Sequence, residues 1–309
     1  MRAEKSGEER RRAKGVKHLL ADRFPNLAYH YLNVRTHYRQ IVHIRRFINF
    51  LNREHPEICV SLLDVGARGG LSAIPIFKPL KRLNNRLIHG IEPDTKEAER
   101  LRKSGEYDHV FTDGVAWYDG EAVLHVPVDH YGAASIRETD PNVEQPIGVL
   151  RQNCRNIPIC VKKLSSILPT RATYDFIKTD VEGCDYDVLA SAEPALLEKV
   201  LCVVCEAQRT PIFKGQHVTV DLHSFLTERQ FLFFFLNLQG NLVNQDVIYV
   251  KHPGTISDLP TLLKYLLLGL LLKHRGDFIS CTLKLYEHNY GKQKALDTLY
   301  EIVGEKRRM

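Results

Sequence analysis

The chain has 309 residues, 44% of them apolar and 26% charged. That balance supports a sizeable packed core and excludes a disordered, collagen-like or disulfide-built protein. The formal net charge of +6 is unevenly spread, with +7 on residues 1–57, −4 on 58–252 and +3 on 253–309. We therefore expect a basic helical N-terminal extension (1–57), one large α/β domain (58–252) and a helical C-terminal tail (253–309).

The first twenty residues are rich in charge and hold no apolar stretch of secretory length, and there are seven cysteines. Both features point to a reducing, cytoplasmic setting. Further on, Leu27, Tyr31, Val34, Tyr38, Ile41, Ile44, Ile48 and Leu51 recur at steps of three and four. This predicts one amphipathic helix that ends before Pro56. Its other faces carry Arg35, Arg39, Arg45 and Arg46. A solvated basic face explains them; peripheral contact with a phosphate-bearing or anionic lipid surface is the alternative.

From Ile58 the pattern becomes short apolar runs alternating with charged helical segments, the rhythm of βαβ units around a mostly parallel sheet. Strands are predicted over 59–65, 87–92, 110–112, 176–180 and 200–206, and helices over 71–83, 95–103, 186–192 and 220–228. Pro75 and Pro79 should break the first of those helices. A hairpin is predicted over 115–126, a long loop over 127–158, and an antiparallel pair at 231–236 and 246–250. Cys202 and Cys205 fall in a run that reads as a buried strand. Side chains three apart on a strand point to opposite faces, so this Cys-x-x-Cys pair reads as structural. The tail should hold helices over 257–273, 278–288 and 292–305. Its longest apolar run, 265–272, is about half a membrane span.

The chemistry concentrates at strand ends. Asp64-Val-Gly-Ala-Arg-Gly-Gly70 follows one strand and precedes a helical segment, where an α/β sheet binds nucleotide-like ligands. Glu92, at the end of the next strand, can accept hydrogen bonds from both hydroxyls of an adenosine ribose. A dinucleotide site would place a second glycine where Arg68 stands, and the Asp64 carboxylate repels phosphate but suits an ammonium group. S-adenosylmethionine is the expected cofactor.

These residues resemble the FkbM-type methyltransferases of the class I S-adenosylmethionine-dependent fold. The resemblance covers about 190 residues, from Ser61 to Lys251. It rests most specifically on Asp175-Phe-Ile-Lys-Thr-Asp-Val-Glu-Gly183 and Tyr186-Asp-Val-Leu-Ala190. Leu63-Asp-Val-Gly-Ala67, Ile91-Glu-Pro-Asp94, Ile159-Cys-Val-Lys-Lys-Leu-Ser-Ser-Ile167 and Val204-Cys-Glu206 support it. The resemblance implies a Rossmann-like, seven-stranded mostly parallel α/β sheet with an antiparallel terminal hairpin. It also implies O-methyl transfer to a hydroxyl of a sugar, glycan or natural product. Carried over, the resemblance implies Asp64, Gly66, Ala67, Arg68, Gly70 and Glu92 as cofactor contacts; Asp113 and Gly114 stand where the fold meets the adenine, and turn chemistry alone explains an Asp-Gly pair equally well.

Asp180, and after it Glu182, stand where the methyl group meets its acceptor, so each is a candidate general base; each could instead hold cofactor or cap the following helix. Glu206, Arg209 and His217 could line the acceptor pocket. No metal is expected, because the fifth strand ends in Glu206-Ala207 and lacks a second carboxylate-amide pair. Nucleic acid is not an expected partner, since no Pro-Pro-aromatic or Pro-Cys motif is present. RNA methylation and a non-catalytic cofactor-binding module are the rival readings, and the oligomeric state is not legible.

Overall fold

The architecture comes from a computed structural model, described over residues 37–128, 131–140, 153–238, 244–272 and 276–303. It divides into two units, one formed by 57–255 and the other by 1–56 together with 256–309. Residues 27–36 of the predicted N-terminal helix, 129–130 and 141–152 of the predicted loop, 239–241 of the turn joining the antiparallel pair, and 273 and 304–305 of the predicted tail helices lie outside the described residues.

In the larger unit the strands are β1 (Val60–Val65), β2 (Arg86–Ile91), β3 (His109–Phe111), β4 (Gly114–Val115) and β5 (Gly120–Pro127). They continue with β6 (Cys154–Lys162), β7 (Phe176–Thr179), β8 (Cys202–Gln208), β9 (Phe231–Leu238) and β10 (Asn244–Lys251). Seven of them form one sheet in the order β3-β2-β1-β7-β8-β10-β9. β1, β2, β3, β7 and β8 run parallel, while β10 lies antiparallel to both β8 and β9. This is the predicted seven-stranded α/β sheet with its antiparallel terminal pair.

Every residue of β1 and β7 is buried, as expected for central parallel strands covered on both faces. Cys202 and Cys205 are likewise buried within β8, where burial pushes both thiols up. β8 runs two residues past its predicted end, so Glu206 sits inside the strand. The helix Thr95–Ser104 is fixed at its start by the Asp94 side chain, which accepts from the Lys96 and Glu97 amides. Between β1 and β2 the prolines have the expected effect, leaving two short 3-10 turns, Gly70–Ser72 and Lys78–Arg82.

The predicted hairpin over 115–126 is wrong. β4 and β5 do not pair with each other; both pair with β6, in a separate three-stranded sheet ordered β4-β6-β5. β6 therefore takes the end of what reads as a loop over 127–158. Pro158 hid it, yet the proline fits, because β4 pairs only with Val161 and Lys162 and leaves that stretch of β6 an edge.

In the other unit, helices His37–Glu54, Leu259–Leu271, Gly276–Tyr290 and Lys292–Val303 pack around Phe47, Ile48, Leu263, Leu267, Leu283 and Ile302. Ile44, Ile48 and Leu51 lie on the buried face as their spacing predicts, whereas Ile41 is exposed. Of the basic residues, Arg46 donates to the Val303 carbonyl and Arg53 pairs with Glu301. No helix among the described residues is long and apolar enough to cross a membrane.

The seam between β1 and β7 is fixed by Asp175, whose buried carboxylate accepts from the Ser61 amide at 2.7 Å and the Ser61 hydroxyl at 2.9 Å. Asp175→Ala leaves both donors buried and unsatisfied, and is expected to lower the unfolding free energy by about 2–4 kcal/mol in urea titrations. Asp175→Asn, which keeps an acceptor oxygen, should cost less. A loss below about 1 kcal/mol for the alanine variant would show that this contact does not hold the seam.

Candidate active site

The chain leaves β1 at Val65 and turns at Gly66, whose φ of +73° favours glycine. A Cβ there would overlap the Asp180 carbonyl oxygen. The loop is held from the other side, because the amides of Gly66 and Ala67 both donate to the Ile91 carbonyl at the end of β2. The ends of β1, β2 and β7 are thus drawn together around one glycine.

Beneath this loop lies a buried charge cluster. Asp64 is fully buried; one oxygen accepts from the Tyr107 hydroxyl at 2.5 Å and the other lies 3.3 Å from the Lys178 ammonium. Lys178 also donates to the Gly66 carbonyl at 2.8 Å and stands 3.6 Å from Asp180. Burial works to lower the Lys178 pKa, but the Asp64 and Asp180 carboxylates outweigh it and hold the ammonium above its ordinary value. Burial pushes the Tyr107 phenol up, as does Asp64, so it stays a neutral donor. Burial also raises Asp64, against the pull of Lys178. The sequence places Asp64 against a cofactor ammonium; in the structure it lies under the loop, Oδ2 bonded to Tyr107 and Oδ1 buried without a hydrogen-bond partner, 3.3 Å from Lys178.

Glu92 follows β2 and is 4% exposed, with one oxygen accepting from the Asp94 amide at 3.0 Å and lying 3.8 Å from the Arg68 guanidinium. Burial raises its pKa, and the Asp94 amide and Arg68 pull it part of the way back. Arg68 is anchored by Asp94 at 2.9 Å, so the residue that replaces a glycine in the loop reaches over the acid expected to take the ribose.

Gly66, Arg68, Glu92, Gly114 and Asp180 line one open cleft of about 180 Å³. Leu124, Ile136 and Ile159 give it an apolar wall from β5, β6 and the segment 131–140. That segment is tied down by the Ser135 hydroxyl donating to the Glu182 carbonyl at 2.7 Å and by Arg137 pairing with Asp187, also at 2.7 Å. The site thus joins residues from both sheets.

A second acidic group stands at the Asp180 end. Asp180, with its side chain about half exposed, Glu182 and the buried Glu206 bring carboxylate oxygens within 4.8 Å of one another. Glu182 has a φ of +51°, unusual for a residue with a side chain. Burial pushes Glu206 up to about 10, reinforced by Glu182 and Asp180. Burial and Asp180 push the neighbouring Asp185 up to about 8. Neither Asp180 nor Glu182 caps the helix Asp185–Ala190, which has Cys184 at its N-cap.

The remaining predicted residues stand apart from the cleft wall. Gly70 packs beside Glu106, Ala67 is buried against Gly90, and Asp113 pairs with Lys162 at 3.2 Å although its neighbour Gly114 lines the cleft. Arg209 is exposed just beyond β8. His217 stacks on Tyr186 with ring centres 4.0 Å apart, near Asp187 and Asp221. Sequence reasoning missed Lys178, Tyr107, Ile136 and Arg137. Only Lys178 carried a signal, as a charged residue inside an otherwise apolar strand.

A profile of the methyltransferase FkbM domain matches residues 64–233. No curated protein matches the chain. Among solved structures it is similar to magnesium protoporphyrin IX methyltransferase (ChlM) from Synechocystis PCC 6803 with bound S-adenosylmethionine. That match has 11% identity and a TM-score of 0.33, and covers 72% of this chain and 87% of that one. It is also similar to OxaC in complex with sinefungin and meleagrin, at 10% identity and a TM-score of 0.31, covering 62% of this chain and 42% of that one. Likenesses this weak do not bear on substrate. The profile match spans the loop after β1, the Glu92 turn and the Asp180 edge, and the chain belongs to the FkbM family of S-adenosylmethionine-dependent methyltransferases.

Proposed function

We propose that this protein transfers the methyl group of S-adenosylmethionine to a hydroxyl of a small-molecule or glycan acceptor. The observation that carries the reading is one cleft lined together by Glu92, Asp180 and the close-packed Gly66 turn. Glu92 takes the ribose hydroxyls, the adenine lies against Gly114, and the methionine part lies against the Gly66 turn. The acceptor enters from the side walled by Leu124, Ile136 and Ile159, whose apolar faces suit a sugar ring or a natural-product skeleton better than a phosphate backbone.

In the reaction an oxygen lone pair of the acceptor attacks the methyl carbon in line with the sulfur. The C–O bond forms, the C–S bond breaks, and its electron pair stays on sulfur to give neutral S-adenosylhomocysteine. Asp180, its side chain about half exposed, receives the hydroxyl proton; a base so placed contributes about 10²–10⁴-fold. The protein otherwise supplies alignment, since the sulfonium is itself the leaving group. Glu182 serves the same edge.

Isothermal calorimetry should show S-adenosylmethionine binding that Glu92→Ala weakens roughly 10- to 150-fold, the loss of charge-assisted hydrogen bonds worth about 1.5–3 kcal/mol. Well-folded wild-type protein silent in this assay would leave a fold without the donor chemistry.

Because the ionised Glu92 is the form that accepts both hydroxyls, affinity is full above its pKa and lost below it. Burial raises that pKa above the ordinary 4.5. Cofactor affinity should therefore fall on acidification with a midpoint above 4.5, and the midpoint should vanish in Glu92→Gln.

Asp180→Asn is expected to cut turnover at least about tenfold while cofactor affinity changes little. Equal losses in both would make Asp180 a cofactor ligand instead.

A further inference from the structure

We propose that Asp180, Glu182 and Glu206 bind a hard divalent cation at the acceptor end of the cleft. Three carboxylates, one each from the turn after β7, the residue two further on and the interior of β8, converge so that one oxygen of each lies within 4.8 Å of the others. Oxygens sharing a Ca²⁺, Mg²⁺ or Mn²⁺ ion at about 2.0–2.6 Å are at most about 4–5 Å apart, so the three can close on one ion with small side-chain movements.

Convergence alone does not make a site, but Glu206 adds an independent observation. It is 7% exposed, and its Oε2 is buried with no hydrogen-bond partner. A buried carboxylate oxygen left unsatisfied costs several kcal/mol unless a cation or donor meets it. The nearby ammonium of Lys178 does not fill that role for Glu206, being committed to the Gly66 carbonyl, Asp64 and Asp180. Asp246, on the neighbouring strand, stands opposite Glu206 in the β8–β10 register and adds to the negative field.

The donor set is all carboxylate oxygen, which selects hard ions over zinc, copper or iron. Three protein oxygens leave half or more of the coordination sphere open. Asp180 also lines the cleft, so the open positions face the place assigned to the acceptor hydroxyl. That part of the inference rests on the methyltransferase reading: the ion would hold an acceptor oxygen, and would favour acceptors that offer two adjacent oxygens to chelate it. The expectation that the fifth strand lacks a metal partner took Glu206 for a strand-end residue. Within β8 it projects towards Asp180 and Glu182.

The test uses the full chain and Mn²⁺ alone as probe, followed by loss of the free-ion signal in electron paramagnetic resonance. One Mn²⁺ should bind per chain, with Mg²⁺ and Ca²⁺ competing. Glu206→Gln should weaken Mn²⁺ at least about tenfold while S-adenosylhomocysteine affinity, read by calorimetry, is unchanged. Replacing a buried acid whose Oε2 lacks a partner by a neutral amide should leave the thermal midpoint of metal-free protein the same or higher. Should that variant nevertheless fail to fold, Glu182→Gln must give the same tenfold loss.

Wild-type protein that binds S-adenosylhomocysteine but takes up no Mn²⁺ would overturn the site, as would equal uptake by wild type and the glutamine variants. Mn²⁺ uptake lost in Glu206→Gln, in protein that binds no S-adenosyl compound, would support the cation site and remove the methyltransferase reading instead.

Discussion

The site depends on one buried ammonium. Lys178 lies in the centre of β7, with the Gly66 carbonyl, Asp64 and Asp180 all within 3.6 Å of its nitrogen. Each partner belongs to a different piece of the cleft: Asp64 to β1, Gly66 to the turn above it, and Asp180 to the end of β7. An unpaired lysine at this depth would lose its proton, and an unpaired Asp64 would be equally costly. Removing one member of such a pair strands the other, typically at about 3–5 kcal/mol. The cluster therefore fixes the height of the Gly66 turn above the sheet, and with it the floor of the cleft.

That floor lies where the sheet topology requires a crevice. The chain runs from β1 outward through β2 to β3, and later returns to the other side of β1 with β7 and β8. The loops after β1 and β7 thus leave in opposite directions and cannot cover the strand ends between them. Gly66 keeps this gap narrow at its base through its contact with the Asp180 carbonyl. The second sheet roofs it, since Gly114 of β4, Leu124 of β5 and Ile159 of β6 all face the same space. Glu92 and Asp180 come from the first sheet, while the apolar wall belongs to the second.

Most of the first sheet was legible in the sequence because its signals are local. An apolar run ending in Gly-rich loop or acid marks β1 and β2, and the prolines at 75 and 79 announce the broken helix between them. The second sheet was not legible, because β4 is two residues long and pairs with a strand about 45 residues away that contains Pro158. For the site, Glu92, Gly66 and Asp180, singled out at strand ends, come together in one cleft. The surroundings of Asp64 could not be read: Tyr107, which accounts for half of its carboxylate, arrives 43 residues later without any pattern to mark it. Nor could the grouping of Glu206 with Asp180 and Glu182, which needs both the β7–β8 pairing and the left-handed backbone at Glu182.

The electrostatics of this edge favour the positively charged methyl donor over its neutral-sulfur product. Glu92 and Asp180 line a cleft beside which Arg68 and Lys178 are already paired with carboxylates. Such a field attracts the sulfonium and ammonium groups of the methyl donor and repels the pyrophosphate of a dinucleotide. Transfer of the methyl group removes the sulfonium charge, so the product loses part of the attraction that held the substrate, and the same field that loads the donor promotes release of the product. A divalent cation at Asp180, Glu182 and Glu206 would offset the negative charge at the acceptor end only, leaving Glu92 to hold the ribose. The two ends of the cleft would then differ in charge, the donor drawn to one and an electron-rich acceptor oxygen to the other, with the methyl group between them.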